Sequence, residues 1–150
     1  MNNNDLSFMQ SALDLAAQAE KEGEVPVGCV IVYQDKIIAE GYNQPIQSHD
    51  PTAHAEIVAI RQATKIVNNY RLNDCTLYVT LEPCLMCVGA MIHARIARLV
   101  FGARDPKTGA VESAFRLLDD AKHNHRVDWE GGVLADISAE YLKNFFQRRR

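Results

Sequence analysis

The chain has 150 residues, of which 47% are hydrophobic and 23% are charged. This length and composition favour one globular domain over residues 1–150 and exclude a chain that is largely disordered, collagenous or coiled-coil. The net charge of −3 argues against a non-specific polyanion binder, although the fourteen basic and ten acidic residues of 61–150 allow a local basic surface.

The hydrophobic pattern predicts helices that alternate with strands. In chain order, the predicted elements are a helix that ends at Gly23, hairpin strands over 27–33 and 36–42, a helix over 53–67, a strand over 75–80, a helix over 84–94, a strand over 98–102, a helix near 113–120, a weak strand near Val127 or Val133 and a helix over 138–149. This alternation predicts a largely parallel or mixed sheet covered by helices on both faces.

The sequence shows neither a pattern typical of a membrane span nor one typical of a secretory signal. No apolar run approaches the roughly 18 residues of a membrane span. The amino terminus has no cationic stretch followed by an apolar one, as a secretory signal would. We therefore expect a cytoplasmic protein that has no contact with a membrane.

The cysteines point to a metal site. In a reducing compartment a disulfide framework is not expected. Cys84 and Cys87 are three residues apart at the start of a predicted helix, where they share one face and where the helix terminus favours thiolates. Two thiolates and one imidazole suit Zn²⁺ better than Mg²⁺ or Ca²⁺, and His54 is the candidate imidazole.

The number of ligands distinguishes catalytic from structural zinc. Three protein ligands that leave a position for water are typical of catalysis, whereas a closed shell of four is typical of structural sites. Cys29, Cys75 and His93 are the candidates for a fourth ligand. Cys29 and Cys75 fall in apolar runs, however, so we expect both in the hydrophobic core.

Glu56 is the candidate proton carrier. It follows His54 by two residues, so both side chains reach one site only if His54 lies at the helix start and Glu56 in the first turn. A carboxylate next to zinc-bound water can take a proton and deliver it to a substrate.

His54-Ala55-Glu56 combined with Pro83-Cys84-x-x-Cys87 resembles the signature of the zinc-dependent nucleoside and nucleobase deaminases. Segments that resemble the bacterial tRNA-specific adenosine deaminases within this superfamily cover nearly the whole chain, at 24–28, 41–43, 49–56, 80–84, 89–92, 100–105 and 124–127. The resemblance implies a cytidine-deaminase-like, three-layer α-β-α sandwich around a central mixed five-stranded sheet.

The resemblance also implies an activity. It is the hydrolytic deamination of adenosine to inosine at the wobble position of a tRNA anticodon, that of tRNA-Arg, by a zinc-bound hydroxide that attacks C6 with Glu56 as proton shuttle. One Zn²⁺ per subunit, a tRNA anticodon stem-loop as partner and a homodimer whose site borrows residues across the interface are implied as well.

By the same resemblance, Asn43 hydrogen-bonds the flipped adenine and Val25 walls the base pocket. The remaining implied substrate contacts are Ala55, Asp105, Lys107, Asn124, Phe145 and Arg149. Phenylalanines mixed with arginines near the carboxyl terminus are typical of surfaces that bind single-stranded RNA, although core packing explains at least one of these phenylalanines equally well.

Three alternatives stay open. A deaminase of free guanine, cytosine or a cytosine nucleoside has the same zinc motif. A non-catalytic, zinc-stabilised RNA-binding module predicts a closed four-ligand shell and needs no Glu56. A thiol redox protein that uses Cys84 and Cys87 would need no metal and has no role for His54 or Glu56.

Overall fold

A computed structural model describes residues 3–149. Its elements are α1 (Asn3–Lys21), β1 (Gly28–Tyr33), β2 (Lys36–Tyr42), α2 (Pro45–Ser48), α3 (Ala55–Val67), β3 (Thr76–Leu81), α4 (Leu85–Ala94), β4 (Arg98–Ala103), a 3-10 turn (Leu117–Asp119), β5 (Asp128–Glu130) and α5 (Ala135–Arg148). Of the helices within 3–149, none combines the length and the apolar character needed to cross a bilayer.

The five strands form one mixed sheet in the order β2-β1-β3-β4-β5. Strand β1 is antiparallel to both β2 and β3, whereas β3, β4 and β5 run parallel to one another. The β1–β2 hairpin turns at Gln34 and Asp35, whose φ angles of 50° and 62° fit the right-handed twist of the two strands. The predicted hairpin and the predicted five-stranded mixed sheet are confirmed.

Alternate residues of the central strands face opposite layers. On one face, Cys29, Leu77 and Leu99 belong to the core that includes residues of α3 and α4. On the other face, Val30, Tyr78 and Val100 pack with residues of α1, and α5 contacts both α1 and β4. The chain is therefore a three-layer α-β-α sandwich, as expected.

One predicted element is wrong. Instead of a helix over 113–120, the segment forms turns and the single 3-10 turn Leu117–Asp119. A helix here would direct the backbone N–H of Leu117 to the carbonyl oxygen of Ser113, but this N–H donates to the carbonyl oxygen of Ala110 instead. The segment therefore folds back on residues 109 and 110, and Glu82 holds the backbone just before it by accepting the N–H groups of residues 111–113. The weak strand is confirmed as β5, which lies between the two positions considered for it.

An ion pair between a buried carboxylate and a partly exposed arginine joins α1 to the sheet. The Asp5 carboxylate accepts hydrogen bonds from both terminal nitrogens of Arg98, at 2.9 and 2.8 Å, and from the Tyr78 hydroxyl, at 2.6 Å. Bonding to Arg98 outweighs burial and, together with Tyr78, holds the pKa of Asp5 below its ordinary value of 3.8. The ionised carboxylate is therefore the form that the fold stabilises.

We expect Asp5→Asn to lower the free energy of unfolding at neutral pH by about 2 kcal/mol, because charge-assisted hydrogen bonds are lost. The folded pKa of Asp5 is depressed, so this stability is present above about pH 4 and is lost as the pH falls through the folded pKa. Urea unfolding at several pH values should show that the difference in unfolding free energy between wild type and variant becomes smaller below pH 4. The exposed Asp14→Asn on the same helix is the control, and an equal gap at every pH contradicts the assignment.

Candidate metal centre and active-site cleft

Two helices begin at the candidate site. His54 and Cys84 are the N-terminal caps of α3 and α4, and both have extended backbones. Helix α3 lies close to the end of β2 because Gly41 has no side chain, and a Cβ there would be 2.5 Å from the carbonyl oxygen of Ala55. The β2 end of the sheet therefore holds the first turn of α3, and with it His54 and Glu56, in place.

The three predicted ligands come together. Nδ1 of His54 lies 3.6 Å from Sγ of Cys84 and 3.7 Å from Sγ of Cys87. A tetrahedral zinc ion with ordinary Zn–N and Zn–S bond lengths would separate nitrogen and sulfur ligands by roughly 3.6 Å. The donor types and their spacing therefore fit Zn²⁺.

The two thiols differ in their pKa. The neighbouring Cys87 and His54 hold the pKa of Cys84 below its usual value, whereas Cys84 and burial raise the pKa of Cys87. Cys84 also lies at the amino terminus of α4, where the helix dipole favours an anion. The pair thus stabilises one thiolate next to the His54 imidazole.

Within residues 3–149, the potential metal ligands that cluster here are His54, Cys84 and Cys87 alone. Cys29 and Cys75 are buried in the hydrophobic core, as predicted, and burial raises the pKa of both thiols. His93 lies in the last turn of α4, at the opposite end of that helix from Cys84. This three-ligand set has the composition of a catalytic zinc centre.

Glu56 lies in the first turn of α3, as the two-residue spacing from His54 requires. Its side chain is only 4% exposed, and burial raises the pKa of Glu56 to about 7. It lines the same cleft as His54 and Cys84. A carboxyl group that can hold a proton therefore lies directly beside the candidate metal centre.

The cleft lies beyond the carboxyl ends of strands β2 and β3. It is lined by Val27, Asn43, His54, Glu56, Leu81, Glu82, Cys84, Asp105 and Thr108. Four of these residues were not predicted as part of a site: Val27, Leu81, Glu82 and Thr108. The topology could have predicted two of them. Leu81 is the last residue of β3, and Val27 comes just before β1, which is antiparallel to β3, so both residues lie at the same end of the sheet. Val25, the predicted wall residue, packs partly buried against the core instead of lining the cleft.

Two of the predicted substrate contacts, Asn43 and Ala55, are hydrogen-bonded to each other. The side-chain oxygen of Asn43 accepts a hydrogen bond of 2.8 Å from the backbone N–H of Ala55, and the backbone N–H of Asn43 donates to the carbonyl oxygen of Val27. The Ala55 side chain is fully buried. The side-chain NH₂ of Asn43 therefore remains as a donor toward the cleft.

Four other predicted RNA contacts lie outside the cleft wall. Lys107 is exposed next to Asp105, and exposed Asn124 lines a separate cavity beyond α4. Phe145 is only 4% exposed, and the Arg149 guanidinium covers its ring at 3.8 Å from the centroid. A base could stack on Phe145 only if Arg149 moved away, whereas the neighbouring Phe146 is exposed.

Two buried carboxylates hold the loops on either side of the cleft. Glu24 accepts the backbone N–H groups of Ile46 and Gln47, just after Asn43. Glu82 accepts backbone N–H groups from the loop that carries Asp105. Burial opposes the ionisation of Glu82, but the hydrogen bonds it accepts from Ser113, Glu112 and Asp105 outweigh burial and hold the pKa of this carboxyl below its usual value.

Comparison with known proteins links this geometry to deaminases. Residues 2–103 match the family described as the cytidine and deoxycytidylate deaminase zinc-binding region. A tRNA-specific adenosine deaminase from Haemophilus influenzae is 54% identical over 97% of this chain and 85% of its own length. One from Aquifex aeolicus is 46% identical over 95% of this chain and 94% of its own length.

Solved structures agree with the fold. A chain from a study of A-to-I editing by tRNA:A34 deaminases at the wobble position of transfer RNA superimposes with a TM-score of 0.88 at 45% identity, covering 91% of this chain and 99% of its own. The X-ray structure of guanine deaminase from Bacillus subtilis superimposes with a TM-score of 0.66 at 35% identity, covering 99% of this chain and 94% of its own. The chain is thus similar both to a deaminase of tRNA and to a deaminase of a free base.

Proposed function

Because this chain belongs to the bacterial tRNA-specific adenosine deaminases, within the cytidine and deoxycytidylate deaminase family, we propose that it converts adenosine to inosine at the wobble position of the tRNA-Arg anticodon. Residues 1–150 act as one catalytic domain. The observation that carries the proposal is the three-ligand centre of His54, Cys84 and Cys87 with the buried Glu56 beside it in one cleft.

His54, Cys84 and Cys87 would hold the zinc ion, which when bound activates water for attack on C6 of adenine near neutral pH. The carboxylate of Glu56 takes the proton of the attacking water and delivers it to the ring nitrogen next to C6. It then carries a second proton to the departing amine, so that adenosine and water become inosine and ammonia. Burial of Glu56 shields these transfers from bulk solvent.

Asn43 orients the base in this mechanism. Because its side-chain oxygen is held by the N–H of Ala55, its NH₂ group donates to an acceptor nitrogen of the flipped adenine. Val27 and Leu81 offer apolar surface to the ring, and Val25 packs against the same core cluster as these two residues. Ala55 acts on the substrate through Asn43, since its own side chain is fully buried.

The anticodon stem-loop contacts Asp105, Lys107, Asn124 and Arg149 in this proposal, and it reaches Phe145 once Arg149 moves away from the ring. The protein acts in the cytoplasm as a homodimer with one Zn²⁺ per subunit. Two exposed apolar side chains next to the cleft support the dimer: Leu85, which follows Cys84, is 60% exposed, and Ile46 on α2 is 69% exposed. A second subunit that covered them would border the substrate site.

Deamination of a free base is the second candidate function, and similarity to the Bacillus subtilis guanine deaminase favours it. Zinc-loaded protein should be incubated with a tRNA-Arg anticodon stem-loop, with the same RNA carrying guanosine at the wobble position, and with free adenosine, guanine and cytidine. We expect inosine in the adenosine-containing RNA alone, mapped to the wobble base. Turnover of a free base alone contradicts tRNA as the substrate, and no turnover at all contradicts deamination.

A further inference from the structure

The Glu82 carboxylate accepts hydrogen bonds from several residues of one loop. The anchored loop, residues 104–113, donates four backbone N–H groups to this carboxylate, from Asp105 at 3.0 Å, Val111 at 3.2 Å, Glu112 at 2.8 Å and Ser113 at 2.9 Å. The Ser113 hydroxyl donates a fifth bond. Glu82 is only 2% exposed, so these bonds form out of water, where an unpaired donor is costly.

The anchor reaches the cleft through Asp105. One Asp105 carboxylate oxygen accepts the backbone N–H groups of Lys107 and Thr108, and the other accepts the Thr108 hydroxyl at 2.8 Å. Asp105 and Thr108 both line the cleft, next to Glu82 itself. The bond from the Asp105 N–H to Glu82 therefore determines where this turn lies relative to Glu56 and the metal ligands.

The backbone of the anchored loop passes unusually close to Glu82 at Gly109. A Cβ at this position would lie 2.6 Å from the Asp105 carbonyl oxygen and would collide with the Glu82 carboxyl group. The contact can thus be broken from either side, by changing the carboxylate or by adding a methyl group to Gly109.

We propose that Glu82 is a positioning residue for the RNA substrate, which sets substrate affinity by holding Asp105, Lys107 and Thr108 at the mouth of the cleft. This inference rests on the proposed function, because two of the held residues, Asp105 and Lys107, are among the expected contacts to the RNA. Glu82 touches neither zinc nor the reacting atoms in this role.

Glu82→Gln is the sharpest test, because every group around the carboxylate is a donor. If the amide NH₂ took the place of Oε2, it would face three backbone N–H groups. In place of Oε1 it faces the Asp105 N–H and a Ser113 hydroxyl that can rotate to accept. The variant should take the second orientation and release Asp105 in particular.

For Glu82→Gln we expect KM for the anticodon stem-loop to rise roughly 10- to 100-fold, with kcat within about threefold of wild type and full zinc content. Hydrogen exchange over residues 105–113 should accelerate. Asp5→Asn is the matched control, since it also removes a buried carboxylate but lies at the α1 side of the sheet. It should lower stability without changing KM or exchange in the anchored loop.

Gly109→Ala should reproduce the rise in KM while leaving Glu82 intact. Unchanged exchange and KM in Glu82→Gln, or a KM that rises equally in Asp5→Asn, overturns the positioning role. Loss of zinc with a fall in kcat also overturns it, because Glu82 would then act on the metal centre. Failure of the wild-type protein to deaminate RNA contradicts the proposed function instead, and the exchange of the anchored loop is read independently of that result.

Discussion

Glu56→Ala should lose about 10⁴-fold in the rate of inosine formation, the upper range for one general acid–base group, because the proposed mechanism has Glu56 carry both protons of the reaction. Zinc content should stay at one ion per chain, since the ligands are His54, Cys84 and Cys87. Single-turnover kinetics on the anticodon stem-loop and metal analysis of the same sample measure both quantities. The combination of an intact metal centre and an inactive enzyme separates a proton carrier from a ligand.

Two further variants make the Glu56 test specific. Glu56→Gln keeps the shape of the side chain but cannot carry a proton, so it should be almost as inactive as the alanine variant. Glu140→Gln, on the exposed side of α5, controls for the loss of one carboxylate and should leave the rate unchanged. A Glu56→Ala protein that retains a tenth of the wild-type rate would rule out the assigned role.

Cys87→Ala should lose zinc, activity and stability together. Apparent binding free energies of about 10–16 kcal/mol for four-ligand zinc sites correspond to roughly 3 kcal/mol for each ligand, so one missing thiolate weakens binding by ~10²–10³-fold. Any ligand that binds only the folded chain adds to its stability, so this contribution disappears with the metal. Cys87 is also fully buried, and its removal leaves a small cavity.

The measurement is thermal unfolding with and without a zinc chelator, together with zinc content after dialysis. The wild-type Tm should fall on chelation, whereas the Tm of Cys87→Ala should already be low and should not respond. Cys75→Ala is the matched control, because it removes a buried thiol that is not a ligand and should keep both zinc and chelator sensitivity. Equal chelator responses in Cys87→Ala and wild type would show that Cys87 does not hold the metal.

Much of the site is predictable because it depends on short spacings. His54 and Glu56 can share a site only at the start of a helix, and Cys84 and Cys87 can hold one ion only when they face the same way. The hairpin at Gln34 and Asp35 is likewise a local feature, encoded by the two strands that flank it. Such features need no knowledge of what packs against them.

Other features depend on partners that are distant in sequence. The segment 113–120 has a helical pattern, but its backbone folds back on residues 109 and 110, at the end of a loop that Glu82, about thirty residues earlier in the chain, holds by accepting backbone N–H groups. Phe145 has the character of a stacking residue, but α5 turns it inward beneath Arg149.

The sequence by itself determined the His/Cys/Cys group that can hold a metal, the candidate proton carrier Glu56 and, apart from the helix expected over 113–120, the order of the main elements, because these depend on residue type and on short-range spacing. Only the tertiary structure decided which side chains wall the cleft, since Val27 and Thr108 reach it through the sheet edge and the loop held by Glu82. The physical reason is that backbone donors and aromatic rings take whichever partner the fold brings to them, and no local pattern records that partner.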